Sequence, residues 1–238
     1  VNHYKDDKNM KKLNKHLSDS IKKEEKYLKK IADKCREAYK NDVLNEEVLS
    51  ELLIDENATK GKPQKPDHNK CALVKESPRM GGEKQICRCM YFYNTGTYKE
   101  CENECDLTPW KNVGNIPVKE YEYPSKYVID GIGGIDLVLE YNNKRYGTEV
   151  KPPKSEETVS RMVAEILTYR VVDRLIEFEP AIAVFKGSKQ HSVIKELENN
   201  ENEDWLEIKK KKLITVFVIE YEEKNGVNEF SIKPYEEI

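Results

Sequence analysis

Residues 131–153 read GIGGIDLVLEYNNKRYGTEVKPP, and the fold class turns on how this stretch pairs with itself. Alternating side chains flank Asn142-Asn143, and asparagine tolerates the positive φ that a two-residue hairpin loop demands. With those two residues as the loop, Glu140 lies opposite Arg145, an opposite-charge cross-strand pair that supports the register. Leu139 then faces Tyr146, Leu137 faces Thr148 and Ile135 faces Val150, which makes one face of the hairpin mainly apolar. Asp136 falls opposite Glu149, and Lys151 follows on the same side because side chains alternate with a period of two.

Two carboxylates directly opposite one another repel, and one of them has its pKa raised unless a cation intervenes. A divalent metal resolves the conflict. Mg²⁺ takes oxygen ligands from one or two carboxylates and keeps waters and phosphate oxygens as its remaining ligands. The neighbouring Lys151 ammonium is suited to help activate a water or to stabilise charge at phosphorus. The pattern suits metal-assisted hydrolysis of a phosphodiester.

Gly134-Ile-Asp136 followed by Glu149-Val-Lys151 on the next strand resembles the PD-(D/E)XK nuclease superfamily, the restriction-endonuclease-like fold. The resemblance implies Asp136 and Glu149 as ligands of Mg²⁺ or Mn²⁺, Lys151 as the catalytic lysine, and a backbone carbonyl ligand from Val150. Glu165 and Tyr169, on the helix after the second strand, resemble the Gln-x3-Tyr element of the RecB-like branch, with Glu in place of Gln. Some family members add an upstream helical Glu, for which Glu120 and Glu122 are the candidates. The resemblance covers roughly residues 120–187, and Ile135 stands where the signature has proline. E-x-K alone carries little weight, since it recurs at Glu24–Lys26, Glu207–Lys209 and Glu222–Lys224.

Outward from the hairpin, the texture from Tyr127 on alternates strand-like apolar runs with helical ones, which points to an α/β domain. Ser155 is expected to cap the helix carrying Val159, Met162, Val163, Ile166, Tyr169 and Val172, with Glu156 and Glu157 favouring its positive end. Arg161, Arg170 and Arg174 on that helix, with Tyr169, are candidate DNA contacts, as is Lys186 after the buried run Ala181–Phe185. Each also reads as an ordinary surface or core residue.

Upstream, Leu13, Leu17, Ile21, Leu28, Ile31, Cys35 and Ala38 recur at helical spacing, and Val48, Leu49, Leu52 and Leu53 suggest a shorter second helix. An apolar stripe of that length needs burial, so a homodimer is an open expectation. Five cysteines follow, Cys71, Cys87, Cys89, Cys101 and Cys105, with His68 just before them. They can hold a structural Zn²⁺, form disulfides, or stay unlinked; the spacing lacks a CxxC knuckle and does not choose. Iron–sulfur spacings are absent. Three regions are therefore expected: 1–57 helical, 58–119 loop-rich and Cys-containing, and 120–238 the nuclease-like domain of mixed sheet flanked by helices.

Composition sets the outer limits. Charged residues are 36% of the 238-residue chain, but 41 Lys+Arg against 44 Asp+Glu leave a net charge of only -3, so tight DNA binding by the whole surface is not expected. Residues 1–40 hold the basic excess, net +6, and residues 128–238 are net -6, so the near-neutrality is a cancellation. Without an apolar run of membrane-spanning length, and with a polar first dozen residues, a cytoplasmic protein is expected. The expected function is a divalent-metal-dependent DNA endonuclease, with a restriction-type enzyme as the form that discrete cleavage ends would show. The alternative is a non-catalytic DNA-binding or protein-interaction module on a degenerate nuclease fold with a structural zinc site.

Overall fold

The computed structural model describes residues 21–22, 24–37, 39–40, 43–44, 60–61, 82–95, 108–123, 128–129, 134–172, 178–210 and 213–237. In chain order these form helix α1 (24–37), strands β1 (Tyr39–Lys40), β2 (Val43–Leu44) and β3 (Lys60–Gly61), and helix α2 (Glu83–Asn94). Strands β4 (Trp110–Asn112), β5 (Val118–Tyr123), β6 (Val128–Ile129), β7 (Ile135–Tyr141) and β8 (Lys144–Val150) come next. Helix α3 (Val159–Val172), β9 (Glu179–Phe185), α4 (Lys189–Asn199), α5 (Glu203–Lys210), β10 (Thr215–Lys224) and β11 (Val227–Pro234) complete the order. The expected second short helix, His68, Cys71, Cys101, Cys105 and Arg174 lie outside the described residues.

Seven strands form one mixed sheet in the order β4-β11-β10-β9-β8-β7-β5. The β7–β8 hairpin has the register expected from its loop: Tyr141↔Lys144, Glu140↔Arg145, Leu139↔Tyr146 and Leu137↔Thr148. Asn142 and Asn143 take φ of 49° and 58°, the left-handed pair that lets two residues reverse a twisted hairpin. From β8 the chain crosses through α3 to β9, which lies parallel beside it, and crosses again through α4 and α5 to β10, parallel beside β9. Parallel neighbours need such helical crossovers, and strands covered on both faces read as unbroken apolar runs, as Ala181–Phe185 does.

The sheet divides two cores. On one face Val138, Ile182, Val184, Val216 and Val218 meet α3 (Met162, Val163, Ile166), α4 (Val193, Ile194, Leu197), α5 (Trp205, Ile208) and α1 (Leu28, Ile31, Ala32, Cys35). On the other, Leu137, Leu139, Ala183, Phe185, Phe217 and Ile219 meet α2 (Ile86, Cys87, Met90). Ile135 departs from the expected alternation: it packs with Val138 and Ile182, not with Leu137 and Leu139. Gly134, just before it, passes so close to β5 that an added Cβ would sit 2.2 Å from the Tyr123 carbonyl oxygen, so only glycine fits.

These cores draw on all three of the expected regions. Residues 58–119 supply β4 and the start of β5 to the main sheet and α2 to the core on one of its faces, and α1 supplies four buried side chains to the larger core. Burying each of Leu28 and Ile31 contributes about 1.5–3 kcal/mol. Leu28, Ile31 and Cys35 of the N-terminal stripe are thus covered within the chain, and the reason for expecting dimerisation is removed for those positions. No helix among the described residues is long and apolar enough to cross a membrane.

Candidate metal centre

The β7–β8 pairing ends at Leu137↔Thr148, one position short of the two carboxylates. Beyond it β8 keeps its parallel pairing with β9 as far as Val150↔Ala183. The Val150 N–H donates instead to Asp136 Oδ2 at 2.8 Å. The carboxylate thus caps the open end of the ladder, which holds the Asp136 side chain against the strand that carries Glu149.

Glu83, the first residue of α2, completes the centre. One oxygen from each of Glu83, Asp136 and Glu149 lies within 4.8 Å of the others. Asp136 and Glu149 are buried and Glu83 is half-buried. Lys151 Nζ sits among the carboxylates, 2.5 Å from Glu149, 2.9 Å from Glu83, 3.5 Å from Glu165 and 3.9 Å from Glu157. Arg161 bridges the outer two, with Nε 3.0 Å from Glu157 and Nη2 2.9 Å from Glu165.

Five carboxylates thus converge on two cations, and burial makes the excess negative charge costly. Desolvation, then repulsion from Glu83, pushes Asp136 well above the ordinary carboxylate range. Desolvation and the charge of Asp136 do the same to Glu149. Burial also pushes Glu165 upward, but its hydrogen bond with Glu149 and the charges of Lys151 and Arg161 outweigh that and hold it below its ordinary value. Burial lowers the Lys151 pKa, and Glu149 and Asp136 more than reverse this, so the ammonium stays charged. The donor set is three hard carboxylate oxygens in a negatively charged, largely dry site. That fits Mg²⁺ or Mn²⁺ and does not fit zinc, which favours nitrogen and sulfur.

Of the residues expected from sequence, Asp136, Glu149, Val150, Lys151 and Glu165 come together. Glu165 touches Lys151 and Glu149 but is outside the triad, whose third member is Glu83. Neither Glu120 nor Glu122 belongs to this triad. Glu120 pairs with Arg145, and Glu122 receives Arg88 at 2.7 Å. Glu140, opposite Arg145 in the ladder, pairs with Lys119.

The expected DNA contacts fare less well. Tyr169 is 4% exposed and lies in the core, where burial and then Glu149 and Asp136 raise its pKa. It is not a surface contact. Arg161 is half-exposed, but its guanidinium is committed to Glu157 and Glu165. Lys186 belongs to a separate exposed cluster, 2.6 Å from Glu220. Arg170 is on α3, and its side chain is outside the described residues.

Nor does a zinc site form from the described cysteines. Cys87 and Cys89 are thiols on α2. Two residues apart on a helix, they point roughly 200° from each other, so α2 does not offer both sulfurs to one tetrahedral ion. Cys87 is buried one turn below Glu83, and desolvation followed by the charge of Asp136 raises its pKa well above the ordinary thiol value. Such a thiol behaves as a small apolar core group.

No family model matches this chain, and neither does any curated protein or solved structure.

Proposed function

We propose that this chain is a divalent-metal-dependent deoxyribonuclease of the PD-(D/E)XK type, built on a restriction-endonuclease-like core and cutting DNA phosphodiester bonds by hydrolysis. One observation carries the reading: Glu83, Asp136 and Glu149 converge within 4.8 Å, with the Lys151 ammonium 2.5 Å from Glu149. The antiparallel hairpin followed by a helical crossover to a parallel strand supports the fold, since it supplies both acids and the lysine at one end of the sheet.

Glu83, Asp136 and Glu149 would hold Mg²⁺ or Mn²⁺. When bound, the ion supplies Lewis-acid polarisation of a phosphate oxygen and charge neutralisation. The Val150 N–H fixes the Asp136 carboxylate. Lys151, protonated and anchored by Glu149 and Glu83, places a positive charge where negative charge grows on the phosphoryl oxygens in the transition state. Glu165 and Glu157 hold the ammonium from the α3 side. With a net charge of -3, affinity for DNA comes from local contacts and falls as salt rises.

The test is incubation of the protein with supercoiled and linear DNA in Mg²⁺, in Mn²⁺ and in EDTA, with Asp136→Ala in parallel. Cleavage that requires the metal and vanishes in the variant is expected. Equal cutting by a clean Asp136→Ala preparation would overturn the reading. Discrete ends in a run-off map would identify a restriction-type enzyme, and a ladder would exclude sequence recognition.

A further inference from the structure

The N–H groups of the first three residues of helix α3 all find side-chain acceptors, and two of these acceptor atoms come from an unexpected place. Thr158 caps the helix, not Ser155: its Oγ1 accepts from the Arg161 N–H at 3.3 Å, while its carbonyl accepts the first regular helical bond, from the Met162 N–H at 3.3 Å. The remaining two donors, Val159 N and Ser160 N, go to the Glu24 carboxylate at 2.7 and 2.8 Å. Glu24 is 2% exposed and lies on α1, 135 residues before Val159. A buried carboxylate is costly unless its oxygens are satisfied, and the positive end of a helix satisfies it with two N–H donors.

The opposite side of the same turn is held as firmly. Gln190 on α4, also buried, donates from Nε2 to the carbonyls of Ser155 and Glu157 at 3.0 and 2.9 Å. Together these contacts fix the segment from which Glu157, Arg161 and Glu165 reach the acidic centre. Glu165 and Glu157 in turn stand 3.5 and 3.9 Å from Lys151.

We infer that Glu24 is a positioning residue for this centre, so that the N-terminal helix is a working part of it and not an appendage. The inference takes the acidic cluster as the catalytic centre proposed above. Its path runs from the Glu24 carboxylate to the start of α3, then through Glu157 and Glu165 to the Lys151 ammonium. Loss of the two hydrogen bonds releases the first turn of α3 and lets the lysine leave its place beside Glu149.

The test uses the full chain with Glu24→Ala and Glu24→Gln. The amide keeps one acceptor oxygen but no charge, and so is expected to retain part of the effect; it also carries the comparison if the alanine variant does not fold. The first readout needs no nucleic acid: lysine acetylation in metal-free buffer, mapped by mass spectrometry. Lys151 is expected to be protected in the parent and labelled several-fold faster in Glu24→Ala, with Lys111 and Lys119 unchanged as exposed references. The second is steady-state cleavage, with kcat down by about 10²-fold and KM for DNA unchanged, the scale expected when a reacting group is displaced by about 1 Å. Lys151 protected as in the parent in a folded variant would overturn the inference, as would a rise in labelling shared equally by Lys111 and Lys119. If Lys151 is released but the parent cuts no DNA, the nuclease reading fails and the positioning role stands. If the parent cuts DNA and Glu24→Ala cuts it at the parental kcat, the positioning role fails and the nuclease reading stands.

Discussion

Two clusters of lysine and glutamate stand on this sheet with opposite arithmetic. Around Lys151, one ammonium is ringed by Glu83, Glu149, Glu157 and Glu165, and its side chain is only 7% exposed. Around Glu220, one carboxylate lies between two ammonium groups, Lys186 at 2.6 Å and Lys233 at 2.7 Å, both about half exposed. The titration behaviour divides the same way. The hydrogen bonds from Lys186 and Lys233 lower the Glu220 pKa, whereas burial and repulsion from neighbouring carboxylates raise those of Asp136 and Glu149. Identical residue types thus make a solvated surface pair in one place and an unbalanced, dry negative centre in the other. Only the second has a physical reason to bind a cation.

The sharpest way to break this comparison is to remove one lysine from each cluster. Lys151→Ala is expected to lower the single-turnover rate of plasmid cleavage by about 10²–10³-fold, the usual loss on deleting one group that stabilises developing charge. Lys186→Ala should change it by no more than about twofold, because that ammonium already serves Glu220 in open water. Similar losses in both variants would mean that the two clusters act on one substrate path, and the contrast drawn above would fail.

Next comes stability without metal. Asp136→Asn removes one of two facing buried charges and keeps an oxygen for the Val150 N–H. It is expected to raise the melting temperature in EDTA by a few degrees, corresponding to about 1–2 kcal/mol in a chain of this size. The same variant should lose the further rise that Mg²⁺ produces in the parent, which calorimetric scans with and without Mg²⁺ will show. A lower melting temperature for Asp136→Asn in EDTA would show that the centre is not electrostatically strained.

Legibility of these clusters in the sequence followed the range of the interactions. The hairpin register was readable because period-two alternation and Asn142-Asn143 are local signals, and they brought Asp136, Glu149 and Lys151 together without any tertiary information. Glu83 was not readable. It stands at the start of α2, in a segment whose cysteines suggested metal binding of another kind, and nothing local separates it from the other 43 acidic residues. Glu24 was hidden for the same reason, its partners lying 135 residues away. The α/β class was likewise visible from the alternation of runs. The union of α1, α2 and the sheet in shared cores was not, because contacts between distant segments leave no periodic trace. Tyr169 misled in the opposite direction: its spacing on α3 suits a site residue, and only packing shows that it is buried.

A subtler contrast is the dependence on pH. The raised pKa values mean that, above the ordinary carboxylate range, folded Asp136 and Glu149 bind more protons than the unfolded chain does. Stability of the metal-free protein therefore falls as pH rises from about 4 through that window, because folding then forces ionised carboxylates into a dry site. Metal binding needs those carboxylates deprotonated, so the Mg²⁺-dependent gain in melting temperature should grow over the same interval. Scans at several pH values in EDTA and in Mg²⁺ check both signs, and a Mg²⁺ gain independent of pH would remove Asp136 and Glu149 from the ligand set.

The smallest effect belongs to Glu220, and it is informative for being small. The pKa of Glu220 is lowered, so its favourable pairing is present above the ordinary carboxylate range and is lost as pH falls through the lowered value. Its partners are exposed, however, and water screens most of the gain. Glu220→Ala is expected to cost under about 1 kcal/mol, with no change in cleavage rate or Mg²⁺ response. Chemical denaturation at pH 7, compared in low and high salt, measures it: the cost should shrink further as salt rises. A cost of several kcal/mol, insensitive to salt, would mean that this cluster is as dry as the one around Lys151, and burial would then no longer explain why only one of them is poised to take a cation.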